Sequence, residues 1–160
     1  APAAPAAGSP EPDAAAAIVA AVEAMRDRYP GREAQATPQR TCLIVDDSDV
    51  VRKVASAILS AIGYEILEAS SGRDGLELAR STMPDAILLD WQIPDVGAHD
   101  FIAKLRAHTT GPRPYLVYLT TEYDHYDIRR ALAAGADASL MKPFDRASLE
   151  DKFRISRIAA

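Results

Sequence analysis

Residues 41–63 read TCLIVDDSDVVRKVASAILSAIG, and the period of their apolar residues changes partway along. Cys42, Leu43, Ile44 and Val45 form an unbroken apolar run of strand length, short enough to be a strand buried on both faces. After the acidic pair Asp46 and Asp47, the apolar residues Val51, Val54, Ala55, Ile58, Leu59 and Ile62 recur at helical spacing. Ser48 or Asp49 can cap the start of that helix and Gly63 can end it. The stretch is therefore a strand, a polar turn and a helix.

The same unit recurs downstream. Further strands are expected at Glu65–Leu67, Ala86–Leu89, Leu116–Leu119 and Ser139–Met141. Helix faces follow at Leu76 and Ala79, ending before Pro84, then at Phe101, Ile102 and Leu105. Ile128 and Leu132 with a stop at Gly135 mark a fourth helix, and Leu149, Phe153 and Ile158 a last one. Helical crossovers force parallel strands, and right-handed crossovers leave few topologies. The expected fold is α/β, a flavodoxin-like (βα)5 doubly wound parallel sheet in strand order 2-1-3-4-5, whose ligands bind at the carboxyl ends of the strands.

Upstream, APAAPAAGSPEP at 1–12 has almost nothing to bury, and its proline density favours extended, solvated backbone. Asp13 can cap a helix to about Tyr29, with Ile18, Val22, Met25 and Tyr29 on one narrow stripe before Pro30 and Gly31. Residues 1–40 thus read as an Ala/Pro-rich tail or linker with one helix at about 13–29, and 41–160 as the main domain.

Composition narrows the function classes. No run is long and apolar enough to span a bilayer, and the first residues lack the basic and apolar regions of a signal peptide. A formal charge of −5 lacks the positive field of non-specific nucleic-acid binding, so direct DNA binding is not expected. Cys42 is the single cysteine, which excludes an intramolecular disulfide and fits a cytoplasmic setting.

The polar residues that end the strands carry the chemistry. Asp46 and Asp47 follow the first strand, Asp90 the third, Thr120 the fourth, and Lys142 with Pro143 the fifth, all on one rim. Three clustered carboxylates repel unless protons or a cation neutralise them, and magnesium takes hard oxygen ligands while bridging readily to phosphate. Lys142 and Thr120 add a positive charge and a hydroxyl donor that could hold phosphoryl oxygens around a carboxylate nucleophile.

LIVDD at 43–47, LLD at 88–90 with Pro94, LT at 119–120 and KPF at 142–144 together resemble the response-regulator receiver family of two-component signalling, from Thr41 to about Ile158. The resemblance implies that Asp90 is the phosphoacceptor, that Asp46, Asp47 and Asp90 hold Mg2+ with the backbone carbonyl of Gln92, that Thr120 is the switch hydroxyl and that Lys142 contacts phosphate. It also implies a cis peptide before Pro143. The implied partners are a histidine kinase or histidine phosphotransfer protein and a downstream effector or fused output domain, with self-phosphorylation and slow self-dephosphorylation rather than metabolic catalysis. The face formed by the fourth and fifth helices is expected to report the change. Two departures concern output: Ser139 stands where the family usually has an aromatic residue, and Gly97 and Ala98 end the loop after Asp90 differently.

Two other readings share these residues. A receiver that never gains phosphate would act as an interaction module. A haloacid-dehalogenase-like phosphohydrolase is suggested by DSDVV at 47–51, but leaves Asp46 and Asp90 without a role. Trp91, Tyr118 and Phe144 read as packing residues, while His99, His108 and His125 lack metal-ligand spacing. The late basic residues Arg129, Arg130, Arg146, Lys152, Arg154 and Arg157 read as a solvated face.

Overall fold

A computed structural model of the chain describes residues 40–108, 111–121 and 124–158. The tail and its expected helix at 13–29 lie outside the described residues. Strands β1 (Arg40–Val45), β2 (Tyr64–Ala69), β3 (Ala86–Asp90), β4 (Tyr115–Thr120) and β5 (Ala138–Met141) alternate with helices α1 (Asp49–Ala61), α2 (Gly72–Thr82), α3 (Ala98–Ala107), α4 (His125–Ala134) and α5 (Arg146–Ile158). All strand pairs are parallel and the sheet order is β2-β1-β3-β4-β5, as expected from the crossovers. Each strand is slightly longer than its apolar run: Arg40, Tyr64, Tyr115 and Ala138 pair at the leading ends of β1, β2, β4 and β5, and Asp90 pairs at the trailing end of β3.

Strand alternation divides the core in two. Leu43, Val45, Ile87, Leu89, Leu116 and Tyr118 face one side and pack with Leu76, Ala79, Phe101, Ile102, Leu105 and Ala131 of α2, α3 and α4. Cys42, Ile44, Leu88, Val117 and Leu119 face the other and pack with Ala55 and Leu59 of α1 and Leu149 and Phe153 of α5. Both faces are covered, which is why β3 is buried at every residue. Burial also pushes the Cys42 thiol well above its ordinary range.

Two expected core residues are solvent-facing: Val54 is 46% exposed and Leu132 is 42% exposed. In α1 the narrow i, i+4 pair Ala55 and Leu59 makes the buried contact, and in α4 it is Ala131, one helical step of about 100° from Leu132. Of the last helix's expected face, Leu149 and Phe153 are fully buried, whereas the side chain of Ile158 is outside the described set.

Local signals set the helix ends that frame the site. The Ser48 side chain accepts from Val51 N, so α1 begins immediately after the acidic pair, and Ser71 and Asp124 cap α2 and α4 in the same way. No described helix is long and apolar enough to cross a membrane.

Candidate functional site

The carboxyl ends of β1, β3 and β5 bring Asp46, Asp90 and Lys142 together. Asp46 is 2% exposed and held at every polar atom that faces the protein: its N donates to Ala69 O, its carbonyl accepts from Arg52, Oδ1 accepts from Ser48 N at 2.9 Å, and Oδ2 accepts from Lys142 Nζ at 2.7 Å. This carboxylate is a fixed wall of the site. Asp47, next in sequence, is exposed, yet one of its carboxylate oxygens lies with those of Asp46 and Asp90.

Asp90 is 4% exposed, with Oδ1 2.9 Å from Lys142 Nζ. That approach is an ion pair but not a directed hydrogen bond, and Oδ1 is the one buried side-chain polar atom among the described residues left without a hydrogen-bond partner. Burial is the largest cause raising the Asp90 carboxyl above its ordinary range; Lys142 opposes the rise, and the charges of Asp46 and Asp47 add to it. For Lys142, burial works against the charged form, yet the close contacts and negative charge of Asp46 and Asp90 outweigh it and hold the ammonium above its usual value.

Oxygens of Asp46, Asp47 and Asp90 lie within 4.8 Å of one another. Three ionised carboxylates facing one lysine leave two net negative charges, which a divalent cation would cancel. Hard oxygen donors, a charge deficit of that size and a buried Asp90 oxygen without a directed hydrogen bond all suit magnesium, so these residues fit the metal the sequence suggested. Gln92 sits in the exposed loop two residues beyond Asp90.

Thr120 is 2% exposed at the end of β4 and is set beside the others by two backbone bonds, Trp91 N to Leu119 O and Lys142 N to Thr120 O. The Lys142–Pro143 peptide is cis. All the strand-end residues singled out from the sequence therefore meet on one rim.

One cluster beside the rim was not singled out. Tyr118, treated as a packing residue, is 1% exposed and donates its hydroxyl to Asp127 Oδ2 at 2.6 Å. His99 Nε2 lies 3.3 Å from Asp127 Oδ1. Strand alternation puts Tyr118 on the face of Thr120, but nothing in the sequence period pairs it with Asp127 in the first turn of α4.

Residues 42–154 match the family model described as Response regulator receiver domain. Chemotaxis protein CheY1 of Helicobacter pylori is 31% identical over 115 residues, which cover 71% of this chain and 93% of that protein. The probable transcriptional regulator ycf27 of Guillardia theta is 35% identical over 112 residues, 70% of this chain but 43% of that protein, so the chain matches less than half the length of this relative. Among solved structures, chemotaxis response regulator CheY4 of Vibrio cholerae superposes with a TM-score of 0.70 at 29% identity, covering 74% of this chain and 98% of that one. The receiver domain of a sensor histidine kinase from Pseudomonas aeruginosa, with a magnesium ion coordinated in its active site cleft, gives a TM-score of 0.65 at 30% identity over 74% of this chain and 95% of that one.

Proposed function

The chain belongs to the response regulator receiver domain family of two-component systems, and on that premise we propose that Asp90 accepts a phosphoryl group in a magnesium-dependent reaction that switches a protein-interaction face. The observation that carries this reading is the convergence of Asp46, Asp90 and Lys142 at three strand ends, with Asp90 buried and its Oδ1 paired with the Lys142 ammonium but left without a directed hydrogen bond.

An Asp90 carboxylate oxygen attacks the phosphorus of a phosphohistidine donor. The P–N bond breaks, and its electron pair leaves with the imidazole nitrogen. Asp46, Asp47 and Asp90, with the Gln92 carbonyl, are the residues that would hold Mg2+, which when bound supplies charge neutralisation for phosphoryl oxygens. Lys142, already held between Asp46 and Asp90, positions its ammonium for a phosphoryl oxygen at Asp90. Thr120 offers its hydroxyl from the adjoining strand end. Slow attack of water on the phosphorus of the acyl phosphate breaks its bond to Asp90, releasing inorganic phosphate and returning the carboxylate. This is signalling chemistry fed by a histidine kinase or phosphotransfer protein and read by an effector or a fused output domain. Residues 41–160 form the receiver in this reading, and 1–40 an Ala/Pro-rich tail or linker.

Intact-mass spectrometry after incubation with Mg2+ and acetyl phosphate tests the proposal. One phosphoryl adduct is expected, absent in Asp90→Asn and absent without the metal. No adduct on the wild-type chain would overturn it in favour of a receiver that acts only by binding.

A further inference from the structure

Asp127, in the first turn of α4, ties three elements together. Its Oδ2 accepts from the Tyr118 hydroxyl of β4 at 2.6 Å, and its Oδ1 lies 3.3 Å from Nε2 of His99 on α3. The same His99 nitrogen is 3.4 Å from the Asp127 carbonyl, and its ring packs at 44° to the Tyr118 ring with centroids 5.8 Å apart. Apart from these contacts, α4 has thin anchorage: Ala131 is its one buried residue, while Tyr126 and Leu132 face solvent. The Asp127 carboxylate is thus a polar attachment of a lightly packed helix to the sheet and to α3.

Tyr118 connects that carboxylate to the phosphoacceptor site. It is two residues before Thr120 on β4, so both side chains leave the same face of the sheet. The Asp90 charge is among the causes raising the Tyr118 phenol, after burial and Asp127, which places the phenol within electrostatic range of the site. Its register partner on β5 is Ser139, which contributes only a hydroxymethyl group to that face. Of this β4–β5 pair, the aromatic ring is therefore the one on β4.

We propose that Tyr118 couples Asp90 to α4: its hydrogen bond to Asp127 holds the helix in the position seen here, and phosphorylation of Asp90 releases that bond and frees the first turn of α4. A phosphoryl group brings extra negative charge and new acceptor oxygens to the end of β3. Thr120 is drawn toward those oxygens, β4 shifts with it, and Tyr118 follows because it is on the same strand and face. The Asp127 carboxylate then loses its Tyr118 donor and keeps only its contact with His99 on α3, and the N-terminal turn of α4 loses its fixed attachment to the sheet. Tyr118 is a positioning residue in this scheme. It touches no reacting atom.

The inference rests on phosphorylation at Asp90, and its test separates the two. Hydrogen exchange at amides 124–134 is measured on the full 160-residue chain with and without Mg2+ and beryllofluoride, which mimics an aspartyl phosphate, while acetyl phosphate labelling is followed by intact mass. In the wild type, exchange across 124–134 should rise about threefold or more on beryllofluoride. Tyr118→Phe keeps the ring and removes the donor; it should still take the phosphoryl adduct, but exchange rapidly from the start and gain little on activation. Asp127→Asn, which keeps an oxygen acceptor for Tyr118, should retain the response. A purely structural hydroxyl would raise exchange in both states and leave their difference intact, and that result with a normal adduct would overturn the coupling alone. Absence of the adduct in the wild type would overturn the phosphoacceptor reading and the coupling together.

Discussion

Lys142 Nζ stands 2.7 Å from Asp46 Oδ2 and thereby joins the end of β5 to the end of β1 across the sheet. The lysine side chain keeps 16% exposure while Asp46 keeps 3%, so the carboxylate is the partner that cannot turn to water. Lys142→Gln should destabilise the metal-free protein by about 1–3 kcal/mol, less than a fully buried pair would lose because water reaches the lysine side. Saturating Mg2+ should recover most of that loss, since the cation neutralises the same carboxylates. Urea unfolding with and without the metal checks both statements.

Asp90 gives the site a pH signature. Its carboxyl is raised in the folded state, so the folded protein binds that proton more tightly than the unfolded chain does. The resulting stabilisation is fully present below the unfolded value of about 4 and is lost as pH rises through the higher folded value. Without metal, the wild type should therefore lose stability relative to Asp90→Asn as pH rises above about 4, because the asparagine carries no charge to bury. Thermal melts of both proteins across that window should show the gap widening with pH, and Mg2+ should narrow it.

Asp47 separates metal binding from folding. It is exposed, so Asp47→Asn should change metal-free stability by no more than about 0.5 kcal/mol. Its oxygen nevertheless belongs to the cluster that fits a cation. Titration of Trp91 fluorescence with Mg2+ should show binding weakened about tenfold, a cost of about 1.4 kcal/mol. Unchanged affinity would remove Asp47 from the ligand set.

The sheet and the strand-end residues were legible because both rest on short-range patterns. Buried parallel strands read as apolar runs such as Cys42–Val45, and the last residue of each run is fixed at the rim by chain direction alone. Which face of a helix is buried was less legible: Val54 and Leu132 satisfy helical spacing yet lie outside the contact, whose width depends on the neighbouring sheet. The Tyr118–Asp127 bond was not legible either, since it joins a strand to a helix nine residues away through a geometry that the sequence period does not encode. Gly72 was missed for a similar reason, because its constraint comes from a loop far along the chain.

Gly72 opens α2 directly against the loop that follows Asp90. A Cβ there would lie 2.7 Å from the Val96 Cβ and 2.9 Å from the Val96 carbonyl oxygen, too close for either backbone to stay in place. The loop has little freedom to yield. Gly72 N donates to Pro94 O, and Asp95, held at a positive φ of 67°, accepts from Arg73 N and Val96 N. Gly72→Ala should therefore cost about 1–3 kcal/mol by overpacking. Because the displaced loop contains Gln92 and begins beside Asp90, the variant should also label more slowly with acetyl phosphate, whereas substitution at Gly97, where a Cβ meets nothing within 4 Å, should leave stability nearly unchanged. Chemical denaturation and a labelling time course on the two variants distinguish a loop held by close packing from one held only by its own turn.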